Sequence, residues 1–314
     1  MLPFPPDARF VLTGPSGWIG SATLAALASR AGGPLGGRVI AFASAGRSME
    51  LPSGERLAVR DLRSIGPEDV DGAHVIHLAY LTREKVEEIG ERQFTDTNLA
   101  IDDALLAALS GARPASLFVA SSGAAALAAR GVDLHPYGLV KLRQEARFLE
   151  WSRKSGVPAI AGRIFNIAGP HINKHEAYAI SNFILQAQRQ REIAVQARIP
   201  VFRSFLHVND LSNLIIEAGL RGVGRQRPID LCGGEVLEMG DVAALVAAAL
   251  GNVPVRREPV DHGSSSAYLG DFTDTRILAM ELGIDLLPLS LQVESTIEWL
   301  ADSGTKAACH ATGE

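Results

Sequence analysis

The stretch Thr13-Gly-Pro-Ser-Gly-Trp-Ile-Gly20 constrains this chain more than any other. It joins a short apolar run, "RFVLT" (9–13), to the helical pattern "WIGSATLAALASR" (18–30). Gly14, Gly17 and Gly20 recur at every third position. Glycines so spaced permit a tight turn, a close main-chain approach to a ligand, and a helix packed hard on its sheet. The helix N-terminus behind them offers amide donors and partial positive charge, which suits phosphate. Such a loop says little alone, and gains force as the first strand-to-helix turn of an alternating series.

That series is present. "RVIAFAS" (38–44), "RLAVRDL" (56–62) and "HVIHLA" (74–79) read as strands, "FTDTNLAIDDALLAALS" (94–110) as a helix and "SLFVASS" (116–122) as a strand. A helix over 137–155 ends near Gly156, and "VPAIAGRIFNIAG" (157–169) reads as one more strand. Alternating strands and helices predict right-handed crossovers and an α/β, Rossmann-like, doubly wound parallel sheet. Beyond Gly169 the rhythm breaks: helices are expected over 178–190, 209–221, 239–251, 274–282 and 289–302, with extended runs at 201–207 and 227–234. The expected organisation is a dinucleotide-binding domain over 1–168, with returning segments near 201–232, and a smaller substrate-binding lobe from 169–200 and 233–314. A cleft between them is the default ligand site. The tail 304–314 is expected to fray.

Composition excludes several classes. A net charge of −5 argues against nucleic acid, which calls for a basic face. No run of about 18 apolar residues predicts a membrane span, and "MLPFPPDARF" does not read as a secretory signal. Two cysteines make no disulfide framework, no Cys/His cluster has metal-site spacing, and the pattern suits a cytoplasmic protein.

The chemistry is carried by "PYGLVK" (136–141). Tyr137 and Lys141, four apart on a helix, share a face. A phenol is a poor acid–base group near neutrality unless a nearby cation favours the phenolate. In a parallel sheet the carboxyl ends of the strands share one edge, so Ser121 and Ser122 reach the crevice of the glycine turn, as does Asn166. Choice of dinucleotide rests on the end of the second strand, where an acid would bond the ribose 2′-hydroxyl and an Arg would accept a 2′-phosphate. "AFASAGRS" places Ser44 and Arg47 there, so NADP(H) is favoured over NAD(H). Asp61 and Leu62, after the third strand, would flank the adenine.

With these pieces in order the chain resembles the extended short-chain dehydrogenase/reductase family, many of whose members act on nucleotide-linked sugars. "TGPSGWIG", "HLAY" (77–80), "TNLAID" (97–102), "SFLHVNDL" (204–211), "LCGGE" (231–235) and "DTRILAMELGI" (274–284) carry the resemblance over nearly the whole length. It implies Tyr137 as general acid/base, Lys141 to lower its pKa and bond the nicotinamide ribose, and Ser122 to orient the reacting oxygen. It implies further cofactor contacts at Ser16, Trp18, Ile19, Leu78, Ala79, Tyr80, Asn98 and Ile164, with Asn98 also expected to hold a local turn or water, and substrate contacts at Ser121, Ser122, Asn166, Arg203 and Arg276. A homodimer through the helix 94–110 and the helix starting at Tyr137 is also implied.

The match departs in three places. Dehydrating relatives carry an Asp-Glu pair after the catalytic Ser/Thr, whereas Ser122 is followed by Gly123, Ala124, Ala125 and Ala126. Only 15 positions separate Ser122 from Tyr137, a short spacing for nucleotide-sugar members. Those members often place an Arg just before a second-lobe Tyr, and here Ala267 precedes Tyr268. The sequence therefore supports an NADP(H)-dependent ketoreductase of a 4-keto-6-deoxy nucleotide sugar. The alternatives are a nucleotide-sugar epimerase with tightly held cofactor, and a non-catalytic dinucleotide sensor or scaffold.

Overall fold

The computed structural model describes residues 3–51 and 53–311. Its main strands are β1 (Phe10–Thr13), β2 (Val39–Ala43), β3 (Arg47–Glu50), β4 (Arg56–Asp61), β5 (His74–His77), β6 (Ser116–Ser122) and β7 (Ala159–Ile164). Helices α1 (Trp18–Ala31), α2 (Pro67–Val70), α3 (Lys85–Ile89), α4 (Glu91–Ser110), α5 (Gly123–Ala129) and α6 (Pro136–Ser155) come between them. The remainder comprises β8 (Asn166–Ala168), α7 (Ala179–Gln190), β9 (Ile193–Val195), β10 (Val201–Arg203), β11 (Phe205–His207), α8 (Val208–Leu220) and β12 (Ile229–Leu231). The chain continues through β13 (Leu237–Glu238), α9 (Met239–Ala249), β14 (Val255–Arg257), β15 (Ser266–Tyr268), α10 (Phe272–Leu282) and α11 (Leu289–Ala311).

The large sheet runs β12-β7-β6-β5-β1-β2-β4-β3 and is parallel except for the β3–β4 hairpin. Helices cover both faces, so β1 and β6 are buried at every residue, as parallel strands must be. Chain order reverses between β2 and β5, on either side of β1, and a crevice opens there at the carboxyl ends. The helix that carries Tyr137 is well bounded. Pro136 sits in its first turn, the His135 ring accepts from Tyr137 N at 3.2 Å, and Gly156 stops it in the left-handed conformation.

Several boundaries differ from the sequence reading. "VPAIAGRIFNIAG" breaks at Phe165 into β7, in the large sheet, and β8, which leaves it to pair with β11. "VFRSFLH" breaks likewise at Ser204, and β10 joins β13 and β15 in a separate three-stranded sheet. Residues 201–207 therefore join two small sheets and not the large one. Conversely α10, expected in the smaller lobe, packs Leu278, Ala279 and Leu282 into the core beneath the large sheet. The tail expected to fray continues α11 through Ala311, and 312–314 lie outside the described residues. No helix among the described residues is long and apolar enough to cross a membrane.

Candidate active site

The crevice beside β1 is a cavity of about 670 Å³ lined by the glycine turn, the ends of β2 and β4, the loop after β5 and one face of α4. Three glycines shape this turn for different reasons. Gly14 has φ +74°, and a Cβ there would lie 2.8 Å from Ala79 N. A Cβ on Gly20 would lie 2.1 Å from Gly14 O, so that glycine lets α1 pack on the turn. Gly17 has φ −72°, and its nearest protein atom to a Cβ is Gly14 O at 3.6 Å. Nothing in the protein requires glycine at 17; the open side faces the cavity at the N-terminus of α1, where a pyrophosphate fits.

Ten of the expected cofactor residues line this cavity: Gly14, Ser16, Gly17, Ser44, Arg47, Asp61, Leu62, Leu78, Ala79 and Tyr80. Arg47 sits on β3, a polar antiparallel edge strand that the sequence reading left as loop, and donates to Ser16 Oγ at 2.6 Å. Asp61 is engaged by Arg63 through side chain and backbone, which holds its carboxyl at about 2. Arg63, Thr97, Ile101 and Asn173 also line the cavity and were not anticipated.

Seven expected cofactor residues do not line it: Gly20 packs behind the turn, Tyr137 and Lys141 lie beside it, and four lie elsewhere. Trp18 points into the smaller lobe, donating from Nε1 to Pro170 O at 2.6 Å. Ile19 packs between two apolar clusters, and Ile164 is buried in the core of the large sheet. Asn98 is fully buried on α4, where its Oδ1 accepts from Leu81 N at 2.9 Å. It holds the loop after β5 in place rather than facing the cavity.

Ser122 and Tyr137 come together near Tyr80 of this groove, close enough for the Ser122 hydroxyl to favour the Tyr137 phenolate. Ser122 also caps α5, accepting from Ala124 N at 3.2 Å. Burial outweighs the Ser122 contact and pushes Tyr137 up to about 12, and Lys141 has no part in that balance, so the expectation that Lys141 lowers the pKa of this phenol is not met. Burial pushes Lys141 the other way, down to about 7, against the favourable fields of Asp102 and Glu145. Its ammonium donates to Ala120 O at 2.6 Å and Gln144 Oε1 at 3.0 Å. It also rests 3.5 Å over the ring of Tyr80, which lines the groove.

A buried polar chain supports that lysine. Leu78 N and Ala79 N both donate to Thr13 Oγ1 at 3.1 Å, which leaves the hydroxyl proton for His77 Nδ1 at 2.8 Å. The other ring nitrogen, Nε2, faces Asp102 Oδ1 at 3.5 Å, and desolvation lowers the His77 pKa. Asp102 accepts from Gln144 Nε2 at 2.7 Å, and Gln144 in turn accepts from Lys141. The chain thus runs from the glycine turn to the lysine. Asp102 was missed, although it continues the i, i+4 stripe Phe94, Asn98, Asp102 on the buried face of α4.

Expected substrate residues divide similarly. Ser121 points away from Ser122, as successive strand residues must, and donates to Glu145 Oε1 at 2.5 Å. Glu145 is bidentate to Arg163 at 2.8 Å, so Ser121 is a structural partner of that pair. Asn166 and Arg203 line a second cavity of about 310 Å³ with Trp18, Tyr178 and Phe205. Arg276 is exposed on α10, which packs under the large sheet, and joins neither cavity. Across the cleft mouth, Asn173 donates to Ser16 O at 3.4 Å and Lys174 reaches Glu84 at 3.5 Å. His171 instead stacks on Trp299 at 4.4 Å, and His175 bonds Ile172 O within its own loop.

Comparison with known proteins decides the family: the sequence model of the NAD dependent epimerase/dehydratase family matches residues 10–226, more than half of the chain. The chain belongs to that family. Its members are enzymes, which sets aside the non-catalytic sensor or scaffold. A UDP-glucuronic acid decarboxylase 3 from Arabidopsis thaliana is 35% identical over 72 residues, 23% of this chain and 21% of that protein. The match thus spans about a fifth of the curated relative's length. Among solved structures, a UDP-N-acetylglucosamine 4-epimerase from Methanobrevibacter ruminantium M1 superposes with TM-score 0.75 at 19% identity, covering 95% of this chain and 99% of that one. RMD from Pseudomonas aeruginosa, complexed with NADPH, gives TM-score 0.67 at 21% identity over 93% and 97%. These likenesses show the Rossmann-like epimerase/dehydratase fold.

Proposed function

We propose that this family member is an NADP(H)-dependent ketoreductase of a nucleotide-linked sugar, with a 4-keto-6-deoxy sugar as the leading substrate class. The observation that carries the reading is the meeting of Ser122 and Tyr137 beside the glycine-turn groove, with only apolar residues following Ser122. Gly123, Ala124, Ala125 and Ala126 form the buried start of α5 and supply no acid or base for dehydration.

A bound nicotinamide supplies the hydride. Tyr137, neutral at pH 7, donates its phenolic proton to the carbonyl oxygen as the carbon is reduced, and is reprotonated from solvent. Ser122, with a lone pair occupied by Ala124 N, has its own proton free for the same oxygen. Lys141 is the group offered to the nicotinamide ribose. Preference for NADP(H) is supported by Arg47 at the cavity end that lies beyond β2, where Ser44 stands in place of a carboxylate and the nearby Asp61 is paired with Arg63. Asn166 and Arg203 in the second cavity are the groups offered to the sugar and its diphosphate. The proposal includes a cytoplasmic homodimer paired through α4 and α6, to be checked by sedimentation.

One observation favours epimerisation as a second reading. The Asn173–Ser16 and Lys174–Glu84 contacts strap the smaller lobe across the groove, an arrangement that suits retained cofactor. Turnover separates the two readings: a reductase consumes NADPH in proportion to product, whereas an epimerase leaves co-purified cofactor unchanged. In either case Tyr137→Phe is expected to lower kcat by about 10²- to 10⁴-fold while leaving NADPH affinity intact. Full turnover by that variant would remove Tyr137 from the chemistry.

A further inference from the structure

Tyr268 is the residue of the site that neither the glycine turn nor the Tyr137/Lys141 pair accounts for. It ends β15, whose pairing with β10 sets Arg203 opposite Tyr268, and its carbonyl accepts from Asn166 Nδ2 at 3.4 Å. From there the side chain crosses from the smaller lobe to the large sheet, and its hydroxyl lies 3.4 Å from Ser122 Oγ. It is also close enough to Tyr137 for the two phenols to perturb one another.

The surroundings are shaped for that reach. The Tyr268 ring packs on Phe165 at 5.0 Å between centroids. A Cβ on Gly123 would stand 2.6 Å from the Tyr268 hydroxyl and 2.5 Å from the Phe165 ring, and one on Gly270 would stand 2.7 Å from the other edge of Phe165. Gly123 opens α5, where alanine would favour the helix by about 1 kcal/mol. Glycine at 123 therefore makes room for the Phe165 ring and the Tyr268 hydroxyl alike. The 3.4 Å spacing to Ser122 is long for two hydroxyls, and leaves both free to turn toward an oxygen placed between them.

We propose that the Tyr268 hydroxyl is a third hydrogen-bond donor to the reacting substrate oxygen, beside Tyr137 and Ser122. It stabilises the developing oxyanion and transfers no proton; the proton still comes from Tyr137. The inference rests on the ketoreductase reading above and deepens it by adding a donor from the smaller lobe, so that the site is complete only when the two lobes meet.

The test uses Tyr268→Phe, which removes the hydroxyl and keeps the ring on Phe165. The probes are NADPH and a thymidine diphosphate-linked 4-keto-6-deoxyhexose. Loss of one such donor is expected to lower kcat by about 10- to 100-fold, with KM within about threefold and both NADPH affinity and Tm unchanged. Wild-type kcat in Tyr268→Phe overturns the proposal and leaves the ketoreductase reading standing. A fall in kcat matched by equal losses in NADPH affinity and Tm assigns Tyr268 to packing, and overturns it too. A wild-type enzyme that binds NADPH but leaves the keto sugar unreduced removes the reading, and this proposal with it.

Discussion

The two cavities are made of different material. The groove at the glycine turn is shaped by main chain: Gly14 and Gly17 line it, and Gly20 lets α1 pack against the turn. The second cavity is shaped by side chains, with Trp18, Phe165, Tyr178, Phe205 and Arg203 making its walls. A main-chain surface can hold a ligand common to many proteins, because peptide groups do not vary with sequence. A side-chain surface is rewritten by each substitution, and specificity resides there. Lys141 lies behind the groove, over the ring of Tyr80 that lines it.

The contrast can be broken by putting a methyl group at successive glycines of one turn. Gly20→Ala forces a Cβ to 2.1 Å from Gly14 O, and is expected to cost about 3 kcal/mol or more, read as a large fall in Tm. Lys141→Met tests the buried charge behind the groove. A lysine depressed from 10.5 to about 7 is charged at a cost in the fold at and below pH 7, and that cost fades as pH rises toward 10.5. The variant should therefore gain about 1–3 kcal/mol at pH 6 and progressively less by pH 9. A gain independent of pH would refute the assignment.

Gly17→Ala should leave Tm nearly unchanged, since its Cβ meets nothing nearer than 3.6 Å, yet weaken NADPH binding about tenfold, or about 1.4 kcal/mol. Equal damage to fold and binding would show that the turn is one structural unit and not a ligand surface. The smallest effect is expected at the rim, where Arg47→Ala should reduce the preference for NADPH over NADH about fivefold, measured by paired fluorescence titrations.

The same division explains what could be read before folding. Glycine spacing and the buried strands announce the groove, because the main-chain demand at Gly14 and Gly20 is written in residue type. The strand breaks at Phe165 and Ser204 carry no Gly or Pro, so nothing local marks where the chain changes sheet. β3 is exposed and polar, and α5 is a short alanine run, so neither shows the periodicity that reveals an element. Trp18 and Ser121 have the sequence position of site residues but point away, since helix packing and strand alternation decide direction. Tyr268 reaches Ser122 from 146 residues away, a contact that only the assembled lobes define.

Central to all of this is a dinucleotide lying along the glycine turn with its nicotinamide end at Tyr137. The chain has four tyrosines, so protein labelled with ¹³C at the tyrosine rings gives four ring environments to resolve. With saturating NADP, nuclear Overhauser contacts are expected from the nicotinamide protons to the Tyr137 ring, assigned by their disappearance in Tyr137→Phe. Bound NADP whose nicotinamide protons show no contact to Tyr137 would contradict the account.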